Sequence, residues 1–231
     1  MVAVAMPVLS SVSSDAAVGG RRSIEATTTS DLVVLAGYPS SARVYIKVVR
    51  GGTIVGSATK RAFRGEIELN HGGGPDCWES RRTPNIRPGD RIVTRVIGTR
   101  IRDFTIVRGV FVEAPTFGAN SITVSGRVRL GTGRATVNPG RDVLEVRVRK
   151  DGNWAGTDSP SIRAGLNAAD VQADGSWTHT FDNLDATDVD TAAAGNETTL
   201  EWSNPGASEL TVAEPAGAAL QLPGCPPVER N

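Results

Sequence analysis

One glycine-rich stretch, from His71 to Cys77, contains residue types that occur in the active sites of enzymes. His71-Gly72-Gly73-Gly74 matches the oxyanion-hole segment of some lipases and esterases, and Asp76 stands beside the Cys77 thiol. A hydrolase of that kind also needs a G-x-S-x-G nucleophile elbow in a parallel α/β sheet. Gly206-Ala207-Ser208-Glu209-Leu210 fails that pattern at its last position. The sequence therefore predicts a glycine-rich loop and no enzyme.

A metal or a thiolate nucleophile would need more than this loop supplies. A reactive thiolate needs a lowered pKa and a base within hydrogen-bond reach, which adjacency in a loop does not provide. Zinc takes four N, S or O ligands, and the chain has two His and two Cys in total. We expect His71 to pack or hydrogen-bond within its own loop, and we predict no metal site and no cofactor.

Four aspartates cluster late in the chain, at Asp182, Asp185, Asp188 and Asp190. Calcium takes 6–8 oxygen ligands, yet this spacing lacks the Gly and Glu positions of an EF-hand loop. A short helical turn capped by Thr187 or Asp188 and running into Ala192–Ala194 accounts for the same residues. That interpretation is favoured, and Asp185 and Asp188, together with His71 and Asp76 of the earlier loop, remain candidates for contact with a partner.

The four tryptophans divide by their surroundings. Trp177 and Trp202 lie in strand-like runs, which favours burial in a core. Trp78 and Trp154 have loop-like neighbours with nearby glycines. Each of these two could anchor a protein partner or a sugar ring, or could close the end of its own domain.

Cys77 and Cys225 are 148 positions apart. In an oxidising setting a bond between them would close a long loop and add about 4 kcal/mol of stability in the chain-entropy model. Two unrelated thiols are the alternative, and the sequence leaves both open.

The elements that would position these residues are short strands of period two bounded by turn residues. Val44, Ile46 and Val48 alternate with polar residues and lead into Gly51-Gly52, a two-residue hairpin signal. The stretch 142–157 repeats 42–57: Val146, Val148, Gly152 and Gly156 match Ile46, Val48, Gly52 and Gly56. The two copies are offset by 100 residues, about the length of one compact domain, so the repeat predicts two tandem domains.

The predicted organisation is all-β, with two antiparallel sandwiches and flexible ends. It comprises an N-terminal arm over 1–20, a first domain over 21–113 closed by a strand at Val110–Val112, and a linker over 114–119. A second domain over 120–214 and a C-terminal tail over 215–231 follow.

This pattern resembles tandem immunoglobulin-like (Ig-like) or fibronectin-III-like domains of bacterial surface proteins and phage structural proteins. Leu69-Asn70-His71-Gly72-Gly73-Gly74-Pro75-Asp76-Cys77-Trp78 and Thr83-Pro84-Asn85-Ile86-Arg87-Pro88-Gly89-Asp90 are similar to a loop and strand entry of such repeats. The resemblance implies β-sandwiches and a role in assembly or binding.

Charge and hydropathy narrow the expected partners. Lys and Arg total 25, as do Asp and Glu, so the sequence offers no basic stripe for nucleic acid. No apolar run reaches the ~18–20 residues of a membrane helix, and the mildly apolar start lacks the positive charge of a secretory signal. We therefore expect a virion or particle component that contacts other protein subunits. The alternative is a secreted or surface-displayed bacterial protein that binds a cell-surface glycan or another protein.

Overall fold

The computed structural model describes residues 21–71, 76–149, 161–195, 198–204, 209–215 and 224–229. These residues form an all-β structure of mainly antiparallel sheets with one short helix, as predicted. The elements are β1 (Ser23–Thr27), β2 (Leu32–Ala36), β3 (Arg43–Arg50), β4 (Thr53–Arg61), β5 (Ile67–Leu69), β6 (Arg91–Val96), β7 (Arg102–Ile106), β8 (Val110–Val112), β9 (Thr116–Phe117), β10 (Ile122–Val128), β11 (Val143–Arg149), β12 (Ser161–Leu166), β13 (Ser176–Phe181), α1 (Ala186–Gly195), β14 (Thr198–Ser203) and β15 (Glu209–Ala213).

The β3–β4 hairpin shows how the local sequence sets the structure. Gly51 and Gly52 both have positive φ, 55° and 89°, the conformation that a tight two-residue hairpin turn requires and that glycine adopts without strain. The alternating sequence of β3 buries Val44, Ile46 and Val48 and turns the residues between them outward. This hairpin is confirmed as predicted.

Residues 21–107 form two layers around one core. One layer has the strand order β1-β2-β5 and the other β4-β3-β6-β7. Apolar side chains from both layers meet in a single buried cluster that includes Leu35, Ile46 and Ile92. Their removal from water is the main term that holds the layers together.

Residues 110–213 repeat this strand pairing. The two strand sets run β8-β10-β13 and β12-β11-β14-β15, so β8 corresponds to β1, β10 to β2, and β11 to β3. Their inner faces share a second buried cluster, which contains Trp177 and Trp202 as expected for core aromatics. The repeat seen in the sequence is thus also a repeat of strand topology.

A single seven-stranded sheet joins the two halves. Strand β15 pairs in parallel with β1, with Glu25 opposite Leu210 and Thr27 opposite Val212. The pairing continues beyond the strand, where the Thr28 N–H donates to the Val212 carbonyl at 3.1 Å. The resulting order is β12-β11-β14-β15-β1-β2-β5, and the sequence contained no signal for the β15–β1 pairing.

Three local expectations differ from the structure. Val110–Val112 pairs with β10, and its buried valines belong to the second cluster, so this strand does not close the first half. The expected linker 114–119 contains β9, which pairs with β10. In the second copy of the repeat, Arg149 pairs with Ser161, whereas Arg50 of the first copy pairs with Thr53, and the matching glycines Gly152 and Gly156 lie outside the described residues.

Candidate functional site

The most highly connected polar region of the described chain lies where the C-terminal residues return to the first half. Cys77 and Cys225 form a disulfide with a Cα–Cα distance of 5.5 Å. We call residues 224–229 the C-terminal strap. The disulfide links the strap to the loop that follows β5, although 148 positions separate the two cysteines in the chain.

Backbone pairing fixes the strap further. The Thr83 N–H donates to the Pro227 carbonyl at 2.9 Å, and the Glu229 N–H donates to the Thr83 carbonyl at 2.8 Å. The Thr83 hydroxyl donates to the Pro226 carbonyl at 2.7 Å, and Thr83 itself is fully buried. The expectation of a free C-terminal tail is therefore wrong for residues 224–229, because a disulfide and a short parallel bridge bind them to the first half.

Arg50 connects the strap to the sheet. It ends β3 directly before the hairpin glycines, and its Nε and Nη2 atoms each donate to the Asp90 carboxylate at 2.8 Å. Its Nη1 atom donates to Glu229 at 3.0 Å. The hydrogen bond to Asp90, reinforced by both carboxylates, raises the pKa of Arg50 above its ordinary value. Two-point guanidinium–carboxylate contacts have strict geometry, so the contact with Asp90 orients the Arg50 guanidinium that binds Glu229 of the strap.

Asp31 lies behind this cluster with a buried carboxyl group. The residue has a positive φ of 55° and is 4% exposed, and its Oδ1 accepts the Ile86 N–H at 2.7 Å. Burial raises the pKa of Asp31 to about 6, although the hydrogen bond from Ile86 and the charge of Arg50 oppose that rise. The Asp31 carboxyl would therefore change its charge in the mildly acidic range.

An open cavity of about 550 Å³ lies between the strap and the adjoining loop. Its lining residues are Val55, Ser80, Arg81, Arg82, Pro227 and Glu229. The lining offers two guanidinium groups and a carboxylate, but no nucleophile next to a base. Its charged groups suit contact with a polar segment.

His71 and Asp76 have separate partners. His71 Nδ1 lies 3.4 Å from the Glu68 carboxylate, and Asp76 lies 3.5 Å from the Lys60 ammonium. Cys77 is in the disulfide and has no thiolate to offer. The structure therefore does not bring these three residues together as a reaction centre. Gly72 to Pro75, which complete the glycine-rich motif, lie outside the described residues.

The two loop tryptophans are not available as a pair of surface anchors. Trp78 is 1% exposed and belongs to the first core cluster. Its indole is thus a core side chain, so the anchoring interpretation is wrong for Trp78. Trp154 lies outside the described residues, as do the predicted N-terminal arm 1–20 and residues 216–223 of the predicted tail.

Asp185 and Asp188 lie at the start of α1. The helix begins at Ala186, and the N–H groups of Asp188 and Val189 donate to the Asp185 carbonyl. The helix predicted here is confirmed, but it begins one residue before Thr187. The described residues contain no group of three or more His, Cys, Asp or Glu that could hold a metal ion.

The residues that organise the strap were missed by sequence reasoning. Arg50, Thr83 and Glu229 are common surface types, and nothing in their local pattern indicates a shared contact. Asp90 had a weak signal, because Pro88-Gly89-Asp90 marks a tight strand entry. Only the tertiary pairing of distant segments identifies this set.

Comparison with known proteins gives no relative to argue from. No protein-family model and no curated protein matches the chain. In the described part of the chain, no helix has the length and apolar character needed to cross a membrane. Function is therefore argued from the geometry of the chain itself.

Proposed function

We propose that this chain is a non-enzymatic structural and interaction protein made of two tandem Ig-like β-sandwich domains. The observation that carries the proposal is the strand pairing, which follows the same order in residues 21–107 and 110–213. A three-stranded layer facing a four-stranded layer is the arrangement of many Ig-like and fibronectin-III-like domains. We place the domain boundary between Val107 and Val110, because these residues pack in different clusters.

The junction between the halves supports a scaffold role. A flexible pair of domains would be joined by a linker alone, whereas here β1 and β15 share a ladder. The side chain of Thr29 also exchanges two hydrogen bonds with the Glu214 backbone, at 3.0 and 3.2 Å. A pair held in this way presents its surfaces at a fixed spacing, which suits a repeating assembly.

The assembly that we propose is a phage or phage-like particle, in which the chain is a decoration, tail or baseplate component in contact with other subunits. The disulfide favours a second candidate, a secreted or surface-displayed binding protein that contacts a glycan or another protein. Disulfides persist in oxidising surroundings outside the cytoplasm.

Fractionation of the producing culture distinguishes the particle component from the secreted or surface-displayed protein. Particles, cell envelopes and clarified medium are resolved on a density gradient, and the chain is followed with a specific antibody. We expect it to migrate with particles, at a fixed ratio to a major particle protein. Recovery from medium or envelopes alone, with both cysteines bonded, would overturn the particle assignment in favour of the surface-binding candidate.

A further inference from the structure

The balanced net charge of the chain conceals a strong separation of charge along it. Residues 21–107 hold 15 Lys and Arg against 8 Asp and Glu, and residues 110–231 hold 9 against 16. Residues 164–229 contain 11 Asp and Glu and no Lys or Arg. The first half is therefore basic and the second half acidic, which gives the molecule a large dipole.

The basic charge of the first half is concentrated on one flat face. We call the outward side of the sheet β4-β3-β6-β7 the basic face. Strand alternation turns the core residues of these strands inward, and the cations that point outward are Arg43, Lys47, Arg61, Arg91, Arg95 and Arg102. None of the six forms an ion pair with a carboxylate of the described residues.

The arrangement of these cations does not help the sheet to fold. Arg43 lies directly opposite Arg61, and Arg95 lies directly opposite Arg102. Like charges placed directly across two strands destabilise the pairing. The same positions would contribute more to stability with a carboxylate on one side, so the charge of this face points to a partner outside the sheet.

Aromatic rings hold two of the guanidinium groups without neutralising them. The Arg91 guanidinium lies 4.1 Å from the Phe104 ring centroid, and that of Arg95 lies 6.0 Å from the Tyr45 ring centroid. Phe104 is 47% exposed. Stacking on a ring limits the motion of a guanidinium but leaves its charge and its donors available. Two basic faces would repel each other, so the occupant must be anionic.

The acidic half carries a matching surface. Asp182 and Asp185 are exposed on the segment that enters α1, and Asp190 is exposed on the helix itself, while Val189 and Ala192 of the same helix pack into the second core. We call residues 182–190 the acidic segment. It contains no Lys or Arg, and among the described residues of one chain no ion pair joins Asp182, Asp185 or Asp190 to the basic face.

We propose that the basic face of one copy docks on the acidic segment of a second copy of this chain. The argument is charge complementarity: two surfaces of opposite sign lie on different halves of one molecule, which the shared sheet joins. Because the two surfaces differ, the contact is heterologous and repeats head to tail, either closing into a ring or extending as a filament. The proposal deepens the assembly role proposed above and rests on it.

The test uses the full chain and two charge-reversal variants in sedimentation velocity. Arg43→Glu with Arg95→Glu lowers the formal charge of the six cationic positions from +6 to +2, and each change creates an opposite-charge pair across the strands, so folding is preserved. Asp182→Lys with Asp190→Lys removes the net negative charge of the acidic segment at two exposed positions. Arg21→Glu with Arg64→Glu is the matched control, since it makes the same charge change at exposed positions of the same half that lie outside the four strands of the basic face.

We expect the wild-type chain and the control to associate in dilute buffer. Their apparent dissociation constant should rise at least about tenfold between roughly 50 and 500 mM salt, because salt screens the attraction between the two surfaces. Each reversal variant alone should be monomeric. An equimolar mixture of the two variants should form a 1:1 dimer that grows no further, because it retains one intact basic face and one intact acidic segment.

Other outcomes overturn the inference. If the variant mixture stays monomeric, the two surfaces are not partners. If the wild-type chain is monomeric alone and associates only when polyphosphate or heparin is added, the basic face serves an anionic polymer instead. A chain that is monomeric in dilute buffer yet migrates with particles would leave the particle assignment standing and remove only this inference.

Discussion

Arg50 and Glu229 are 179 positions apart in the chain, and their side chains form a 3.0 Å salt bridge in the folded protein. This contact places the end of the chain beside the first hairpin, next to the buried carboxylate of Asp90. Stability, pH response and the presentation of surfaces therefore all depend on contacts between segments that are remote in sequence.

The disulfide should contribute a large part of the stability. Loss of a bond that closes a loop of 148 residues removes about 4–5 kcal/mol in the chain-entropy model. We expect Cys225→Ser to lower the free energy of unfolding in urea by up to that amount. The double variant with Cys77→Ser should match the single variant, since either change breaks the same bond. Equal stability of the oxidised and reduced wild-type chain would contradict this prediction.

The two acids bound to Arg50 should contribute unequally. Asp90 is 1% exposed, so Asp90→Asn leaves the guanidinium without its close partner and should cost about 3 kcal/mol. Glu229 is 30% exposed, and Glu229→Gln should cost less than about 1 kcal/mol because solvent screens the pair. Chemical denaturation of both variants measures the difference. A larger loss for Glu229→Gln would show that the strap, and not Asp90, anchors the cluster.

Asp31 should make stability depend on pH between about 4 and 6. Its folded pKa of about 6 lies above the ordinary value of 3.8, so folding favours the protonated form. The contribution of Asp31 to stability is therefore complete below about pH 4 and is lost as the pH rises through 6, at a cost of about 2–3 kcal/mol.

Asp31→Asn provides the control for that prediction. Asparagine tolerates the left-handed backbone and keeps an acceptor for the Ile86 N–H. We expect this variant to be more stable than the wild-type chain at pH 7 and to show a weaker pH dependence of stability between 4 and 6. Denaturation midpoints across this range test it, and identical pH profiles for the two proteins would rule out Asp31 as the source.

The shared sheet should make the two halves unfold together. Calorimetry of the oxidised chain should show one transition whose calorimetric and van't Hoff enthalpies agree. Thr29→Val removes the two hydrogen bonds to Glu214 and should lower stability by about 1–2 kcal/mol. Thr116→Val offers a comparison, since the Thr116 hydroxyl makes one long bond, at 3.4 Å, within the second half. Two separate wild-type transitions would mean that the β1–β15 pairing does not couple the halves.

The strands and the main hairpin were predictable because their signals are local. Period-two alternation in Val44, Ile46 and Val48 needs only the neighbouring residues, and Gly51-Gly52 carries its own turn preference. The short helix at Ala186 was also indicated by its composition. Trp78 was harder to interpret, because a loop position does not reveal that the loop folds back onto the core.

The sequence by itself determined the all-β class, the repeated strand pattern and the places where the chain turns. Only the tertiary structure decided that β15 pairs with β1, that Cys225 meets Cys77, and that the cations of four strands share one face. The physical reason is the sequence distance over which each kind of interaction acts. Alternation and turn preference act over a few residues, whereas strand partners and register are selected by burial of the whole core. The register then determines which charged side chains of neighbouring strands lie next to one another.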